Sequence, residues 1–358
     1  MKRIATLLAV TAILAAFPLA AQAPAPEPAG SNRPKTEESD ARVRGILEAL
    51  ERLKISGYIQ AQFVDDESSR DELTASGSRN KDQFSIRRGR LKFVYTASPA
   101  ARATVQLEAN SNGVDLKDAF IELTEPWTEW KHTLTAGQFK WPFGFEIPYS
   151  SSSREMPERS RVIRTLFPGE RDRGVMASGA GFGKRLTYQL AVVNGSGIDQ
   201  SSDPDSSKDV VGRLGWSFPT LDVGASLYRG EALLATAAQP SGRMFDKNRT
   251  GVDAQWKSPV PGLTARAEYV TGDEKGAEVD GWYVYLIQAL GKKNELVVRA
   301  DEYDANADLA GNAVFTLGGA WNYHLDKRTR VTLAYEHPER EEDDPDDDVL
   351  TARLQFKF

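Results

Sequence analysis

The sequence predicts an all-β fold: a transmembrane antiparallel β-barrel of about sixteen strands, preceded by a short N-terminal periplasmic helix. Three observations lead there. Segments with apolar and polar residues alternating at a period of two recur through residues 54–358. The links between them are short and long in turn. The chain closes on Val-Leu-Thr-Ala-Arg-Leu-Gln-Phe-Lys-Phe, in which Leu350, Ala352, Leu354, Phe356 and Phe358 share one strand face and Thr351, Arg353, Gln355 and Lys357 the other. Hydrocarbon on one side and water on the other account for such a strand, although a half-buried strand in a soluble sandwich shows the same alternation.

Residues 1–23 read as a secretory signal peptide. Lys2 and Arg3 supply a basic start, residues 4–19 are largely apolar, and Ala21-Gln22-Ala23 is an A-x-A cleavage pattern. The apolar run is too short for a spanning helix, and Pro18 interrupts it. No later stretch holds 18 consecutive apolar residues, so helical spans are not expected. Mean hydropathy is -0.46, a value ordinary for soluble chains and equally natural for a barrel that hides its lipid face in alternation.

Residues 24–36, rich in Pro and Ala, are expected to be a disordered linker. Residues 37–53 are expected to form a short amphipathic helix, capped by Ser39 or Asp40, with Val43, Ile46, Leu47, Leu50 and Leu53 on one stripe. Such a helix fits a small coiled coil that helps a trimer associate, or a segment that plugs or flanks the barrel mouth. The barrel itself is expected over residues 54–358.

The chain has no cysteine, so closure of the sheet rather than a disulfide framework must supply stability. It carries 45 basic and 51 acidic residues; loss of Lys2 and Arg3 with the leader leaves 43 against 51, a net charge of -8. That balance argues against nucleic acid as a partner. It leaves the local sign inside a pore open.

Within the barrel, Ile55, Gly57, Ile59, Ala61 and Phe63 alternate with Ser56, Tyr58, Gln60 and Gln62. Leu91, Phe93 and Tyr95 alternate with Arg90, Lys92 and Val94, and Val105, Leu107 and Ala109 with Gln106 and Glu108. About sixteen such segments approach the 9–11 residues of a tilted spanning strand. Short links, as at residues 98–100, 183–184 and 291–293, separate longer polar ones, as at 65–82, 140–172, 195–208, 230–248 and 337–348. Short periplasmic turns and longer external loops have that arrangement, and an even strand count leaves both termini periplasmic.

Phe84-Ser-Ile-Arg-Arg-Gly-Arg-Leu-Lys-Phe93, followed by Gly137-Gln-Phe-Lys-Trp-Pro-Phe-Gly-Phe-Glu146, resembles the phosphate-selective porin O/P family of outer-membrane channels. The similarity runs more weakly through Val193-Asn194-Gly195, Val211–Leu214 and the last strand, and covers most of residues 54–358. The resemblance implies a sixteen-stranded barrel in the bacterial outer membrane, usually a homo-trimer, with an inward-folded third loop and a basic pore. It implies passive diffusion of phosphate or other small anions, without cofactor or catalysis.

The residues give a reading of their own. If Leu91, Phe93 and Tyr95 face lipid, parity sends Arg88, Arg90 and Lys92 into the lumen; the reverse would put three cations in hydrocarbon, at roughly 2–4 kcal/mol each near the midplane. Fixed cations along one strand let an anion exchange hydration for guanidinium contacts stepwise. Arg87 has the lipid-facing parity and is expected at the external rim. The third long loop, residues 140–172, contributes Arg154, Arg159, Arg161 and Arg164, begins with the apolar Trp141-Pro142-Phe143-Gly144-Phe145, and is expected to tuck into the barrel. Tyr149 and Ser150 to Ser153 would add hydroxyl groups there. The loop arginines either meet the solute or pair with Glu146, Glu155, Glu158, Glu170 and Asp172 and pin the loop.

By the same parity Glu108, Asp118 and Glu122 also face inward, and Arg213, Asp253, Arg266, Glu268, Arg353 and Lys357 line further strands with both signs. Opposed walls of that kind suit a general diffusion pore, so anion-preferring and general channels both stand. The acidic run at residues 339–348 is expected to be a solvated loop, with bridging to lipopolysaccharide through divalent cations as the sharper alternative. Trp127, Trp130, Trp216, Trp256, Trp282 and Trp321 fit interfacial girdles against membrane lipid. No G-x-S-x-G, H-E-x-x-H or Gly-rich phosphate loop supports an enzyme. A barrel that merely tethers the envelope is the remaining alternative.

Overall fold

Period-two alternation closes here into a sheet without edges. The computed structural model describes residues 35–74, 77–78, 80–111, 113–198, 200, 202–234, 239–340 and 347–358. The expected leader, the linker through residue 34 and most of the acidic run at 339–348 lie outside these residues.

The first half of the barrel comprises β1 (Leu53–Asp66), β2 (Gln83–Ser98), β3 (Ala101–Asn110), β4 (Gly113–Thr124), β5 (Thr133–Lys140), β6 (Arg171–Gly181), β7 (Leu186–Val193) and β8 (Asp209–Ser217). The second half comprises β9 (Leu221–Arg229), β10 (Arg243–Lys257), β11 (Leu263–Glu274), β12 (Ala277–Leu290), β13 (Asn294–Asp304), β14 (Ala313–His324), β15 (Thr329–Arg340) and β16 (Val349–Lys357). Each strand pairs antiparallel with its neighbour in sequence, and β1 pairs with both β2 and β16. The result is a closed up-and-down barrel of sixteen strands, as the alternation predicts. Closure satisfies every ladder group that an open sheet would leave facing lipid.

The terminal strand behaves as its pattern requires. Leu350, Leu354, Phe356 and Phe358 are exposed, whereas Thr351, Arg353 and Gln355 are buried. Phe358 exchanges two 3.0 Å backbone hydrogen bonds with Gly57 of β1 and so seals the last seam. Its ring lies where a side chain at residue 57 would be: a Cβ there would meet the Arg90 carbonyl oxygen and, slightly further off, the ring at 2.6 Å. Glycine is what leaves the space.

An N-terminal helix, α1 (Lys35–Glu51), exposes Val43, Ile46, Leu47 and Leu50. Leu53, assigned above to the helix, instead opens β1, opposite Tyr95 of β2.

Two irregularities in the ladders change which way side chains point. Between β1 and β2, the register passes from Gln60 opposite Arg88 to Ala61 opposite Ile86 and leaves Arg87 unmatched. Between β3 and β4, it passes from Gln106 opposite Asp118 to Leu107 opposite Leu116 and leaves Lys117 unmatched. A bulge re-aims the extra residue. Arg87 therefore does not take the lipid parity expected of it; its guanidinium reaches inward to Glu158.

The apolar core lies inside the barrel, under the third loop. Trp141, Phe143, Ile147, Met156, Val162, Ile163, Leu166 and Phe167 from residues 141–167 are all buried, the last four on or just after a short helix, α2 (Arg161–Leu166). They pack on an inner wall made of Ala191, Val193, Val211, Tyr228, Val270, Val279, Tyr283 and Val297. Removing each large apolar side chain from water contributes about 1.5–3 kcal/mol, so the loop is held inside the lumen rather than draped over it. Gly281 on the wall admits it: a Cβ at that position would come within 2.8 Å of Val162.

Candidate functional site

The third loop crosses the lumen and is fastened at both ends of its span. On the β9–β14 side, Glu268 Oε2 accepts the backbone N–H groups of Phe145 and Glu146 at 3.1 and 3.2 Å and the Tyr283 hydroxyl at 2.7 Å. Ser226 Oγ accepts the Gly144 N–H at 2.9 Å, and Asp301 accepts that of Arg161 at 2.9 Å. On the opposite side, Gln60 donates to the Ser151 carbonyl at 3.1 Å and Gln355 to that of Ser152 at 3.0 Å. Ser151 Oγ also accepts from Arg90 Nη1 at 2.9 Å and is hydrogen-bonded to the Tyr58 hydroxyl at 2.5 Å, either oxygen being able to donate. A strap tied in this way cannot shift without breaking several buried hydrogen bonds at once.

Glu158 is the loop's electrostatic anchor on the basic wall. Arg88 Nη2 and Arg87 Nη2 donate to its Oε2 at 2.7 and 3.0 Å, and Arg353 Nη2 donates to its Oε1 at 3.0 Å. Burial alone would raise the Glu158 carboxyl, but Arg88, Arg87, Arg154 and Arg353 together hold it well below the usual range. Glu170 is held in the same fashion at about 2, against its burial, by Arg159, Lys140 and Arg171.

The loop arginines divide into different roles. Arg159 donates to the carbonyls of Glu146, Ile147 and Tyr149 and to Glu170, which curls the loop on itself. Arg161 and Arg164 face a cavity of about 560 Å3 on the long-loop side of the barrel, bordered also by Lys81, Arg87, Arg340 and Arg353 and by Asp66, Glu158, Glu336 and Asp347. Arg154 differs from all of these. It is 2 % exposed, and none of its three guanidinium nitrogens has a hydrogen-bond partner among the described residues. Burial, with repulsion from Arg159 and Arg88, lowers it to about 9, which still leaves it charged at neutral pH.

Arg154 lines an inner cavity of about 220 Å3. Eight cationic side chains border that cavity (Arg87, Arg88, Arg90, Lys117, Arg154, Arg159, Arg164 and Arg171) against three carboxylates, Glu108, Glu158 and Glu170. Arg87, Glu158 and Arg164 belong to both cavities, which places the wide outer chamber next to the narrow one. Formal charge rises from +2 around the outer chamber to +5 around the inner, on the residues named. Lumen parity, read from sequence, brings Arg88, Arg90 and Glu108 together correctly; Lys92 lies further along the same face of β2 and does not border this cavity. Arg87 and Lys117 were missed. The signal for them is a pair of adjacent charged residues inside a spanning strand, Arg87-Arg88 and Lys117-Asp118, where strict alternation would put one of each pair in lipid.

The far wall carries both signs in closed pairs. Arg213 Nη2 and Asp253 lie 2.6 Å apart and Arg299 pairs with Asp301 at 2.7 Å, while Arg266 reaches across to Glu155 of the third loop at 3.1 and 3.3 Å. Nearer the short turns, Trp130, His132, Phe182, Tyr188 and Trp216 cluster at ring separations of 5.7–6.3 Å, as expected of an interfacial aromatic girdle.

A closed sixteen-stranded barrel narrowed by an inward third loop and lined with charge is an outer-membrane diffusion channel. The family model of the phosphate-selective porins O and P matches residues 58–258, more than half of the chain, and the protein belongs to that family of the bacterial outer membrane. Among solved structures, the chain is similar to an anion-selective porin from Comamonas acidovorans, at 10% identity and a TM-score of 0.64 over 86% of this chain and 99% of that one. It is also similar to OmpF of Salmonella typhi in complex with daunomycin, at 14% identity and a TM-score of 0.63 over 86% and 97%. OmpT of Vibrio cholerae in a trimer form matches at 10% identity and a TM-score of 0.61 over 86% and 99%. None of the curated proteins matches the chain by sequence.

Proposed function

We propose that this porin prefers small anions, phosphate among them, and that Arg154 forms the weak central contact on their path. The observation that carries this reading is the inner cavity, with eight cationic groups against three carboxylates and, at its edge, a buried guanidinium without a hydrogen-bond partner among the described residues. An anion leaving the outer chamber would exchange water for Arg164 and Arg87, then for Arg154, with Arg88, Arg90 and Lys117 supplying the surrounding field. Guanidinium forks suit tetrahedral oxyanions, and partial neutralisation by Glu158 and Glu108 keeps binding weak enough for release. Lys92 would act past the constriction, on the short-turn side.

The closed ion pairs of the far wall favour a second reading, a general diffusion channel with a transverse field. The two readings part on selectivity. The zero-current potential of the purified protein in a planar bilayer under a salt gradient, with and without added phosphate, tests them. Anion selectivity reduced by Arg154→Gln supports the first, and a wild type with no selectivity overturns it.

The same reading takes residues 1–23 as a leader removed on export and residues 24–36 as a linker. It takes α1 as a periplasmic helix, and the assembly as a homo-trimer seated in lipid and lipopolysaccharide. No catalytic step or cofactor enters it. Mass spectrometry of the native protein reads the processed N-terminus and the copy number directly.

A further inference from the structure

A second group of buried donors lies away from the arginine wall, and the transport path above does not use it. Arg249 of β10 is 1 % exposed and stacks on Phe167 and Tyr228, with its guanidinium carbon 4.7 and 5.2 Å from their ring centres. One nitrogen, Nη2, donates to Glu274, but Nε and Nη1 have no partner among the described residues. The Trp141 indole N–H, 2 % exposed, and the Ser196 hydroxyl are in the same condition. All three residues border one cavity of about 500 Å3 beneath the long loops.

That cavity differs in chemistry from the inner one. Its cations, Lys247, Arg249 and Lys275, are balanced by Asp205, Glu231 and Glu274, and Lys247 is already engaged by the Gly195 carbonyl at 2.6 Å. Leu166, Pro168, Ile198, Leu233 and Leu234 form an apolar wall. A small, strongly hydrated dianion gains nothing from that wall and meets three carboxylates. A monoanion with an apolar body satisfies both halves: its charged end takes the open donors, and its body covers the leucines and isoleucine.

We infer that this cavity is a binding site for an amphipathic organic monoanion, of the class of aromatic monocarboxylates, separate from the anion path through the constriction. The carboxylate accepts from Arg249 Nε and Nη1 and from the Trp141 indole, and the ring lies against Leu233 and Ile198. Loading the site places a solute under the long loops beside the strap, because Leu166 and Pro168 of its wall flank Phe167, which borders the inner cavity.

The test uses the full-length protein in detergent micelles and 4-fluorobenzoate as the probe, followed by fluorine NMR. The expected result is saturable binding, weakened at least fivefold by Arg249→Gln and at least fivefold for the uncharged 4-fluorobenzyl alcohol, and unaffected by a tenfold excess of phosphate. Arg154→Gln is expected to change the affinity less than twofold, which separates this site from the constriction. Because Arg249 is buried, Leu233→Asp provides a second variant: it adds a carboxylate to the apolar wall without removing a stacked guanidinium, and it too should weaken the probe fivefold. Absence of saturable binding, binding indifferent to Leu233→Asp, or displacement by phosphate with loss in Arg154→Gln would each overturn the assignment.

Discussion

Arg88 on β2 and Glu158 at the centre of the third loop are joined by a pair of hydrogen bonds, Nη2 to Oε2 at 2.7 Å and Nη1 to Oε1 at 3.2 Å. The contact ties the basic wall of β2 to the segment that crosses the lumen, so it fixes the loop against that wall and neutralises part of its charge together. Each cation committed to Glu158 is partly neutralised; Arg154, which is not so committed, keeps its buried guanidinium without a hydrogen-bond partner among the described residues. The channel's electrostatics are therefore a matter of which arginines the loop occupies, and not of how many the chain contains.

Replacing Glu158 by Gln removes the common acceptor of Arg87, Arg88 and Arg353. Breaking a fully buried pair on one side costs about 3–5 kcal/mol, and Glu158, which is part-buried, loses less than that. Here that loss falls on the docking of the loop, since the barrel ladders are untouched. Single-channel records of E158Q should show a noisier pore with stronger anion selectivity. A quiet pore of unchanged selectivity would contradict the role given to this carboxylate.

The same contact has a pH dependence of defined sign. Glu158 is held below its unfolded value, so its contribution is present above the ordinary glutamate pKa, about 4.3, and is lost as pH falls below it. Conductance noise should rise on acidification below that value in the wild type and be independent of pH there in Glu158→Gln. Noise that grows instead on alkalinisation would reverse the sign and rule out this carboxylate.

Arg154→Gln should act oppositely on function and on stability. It removes a buried charge with no hydrogen-bond partner among the described residues, so docking of the loop should gain on the order of 1–3 kcal/mol. The anion-to-cation permeability ratio should fall severalfold at the same time. A variant that loses stability would show that Arg154 is an anchor, like Arg159, and not an open contact.

Phe143→Ala should enlarge the pore. Phe143 is fully buried against the inner wall, and deletion of such a ring costs about 3–5 kcal/mol. The loop carries the loss, so unit conductance should rise while heat-resistant barrel migration on gels is retained. Equal conductance with a less stable barrel would place the energetic weight of the loop elsewhere.

Gly57→Leu should impair assembly and leave the finished pore little changed. A side chain at residue 57 meets the Phe358 ring that closes β16 on β1 and, closer still, the Arg90 carbonyl oxygen. Folding yield into lipid vesicles should drop several-fold, and Phe358→Ala in the same background should restore part of it. No restoration would mean that the crowding is with the neighbouring backbone.

Alternation at a period of two was enough to read the barrel, its strand count and the inward direction of Arg88, Arg90, Glu108 and Asp118, because the lipid face tolerates no charge. The same rule misplaced Arg87 and did not identify Lys117 as inward, since an extra residue in one strand resets the parity and ladder register is a pairing between two strands. The apolar start of the third loop showed that it must be covered. Which wall covers it depends on Gly281 and on the tyrosines and valines of strands more than fifty residues further on.

Local chemistry thus determined by itself the class of protein, the basic strand and the need for an inward loop, since hydrophobic alternation and charge exclusion act residue by residue. Only the tertiary structure decided which arginines the loop's carboxylates occupy and which one they leave open. Glu158, Arg88, Arg353 and Arg154 are brought together by closure of the barrel, which pairs β16 with β1 and so sets Arg353 beside β2 and the third loop, and their partnerships are set by distance in space.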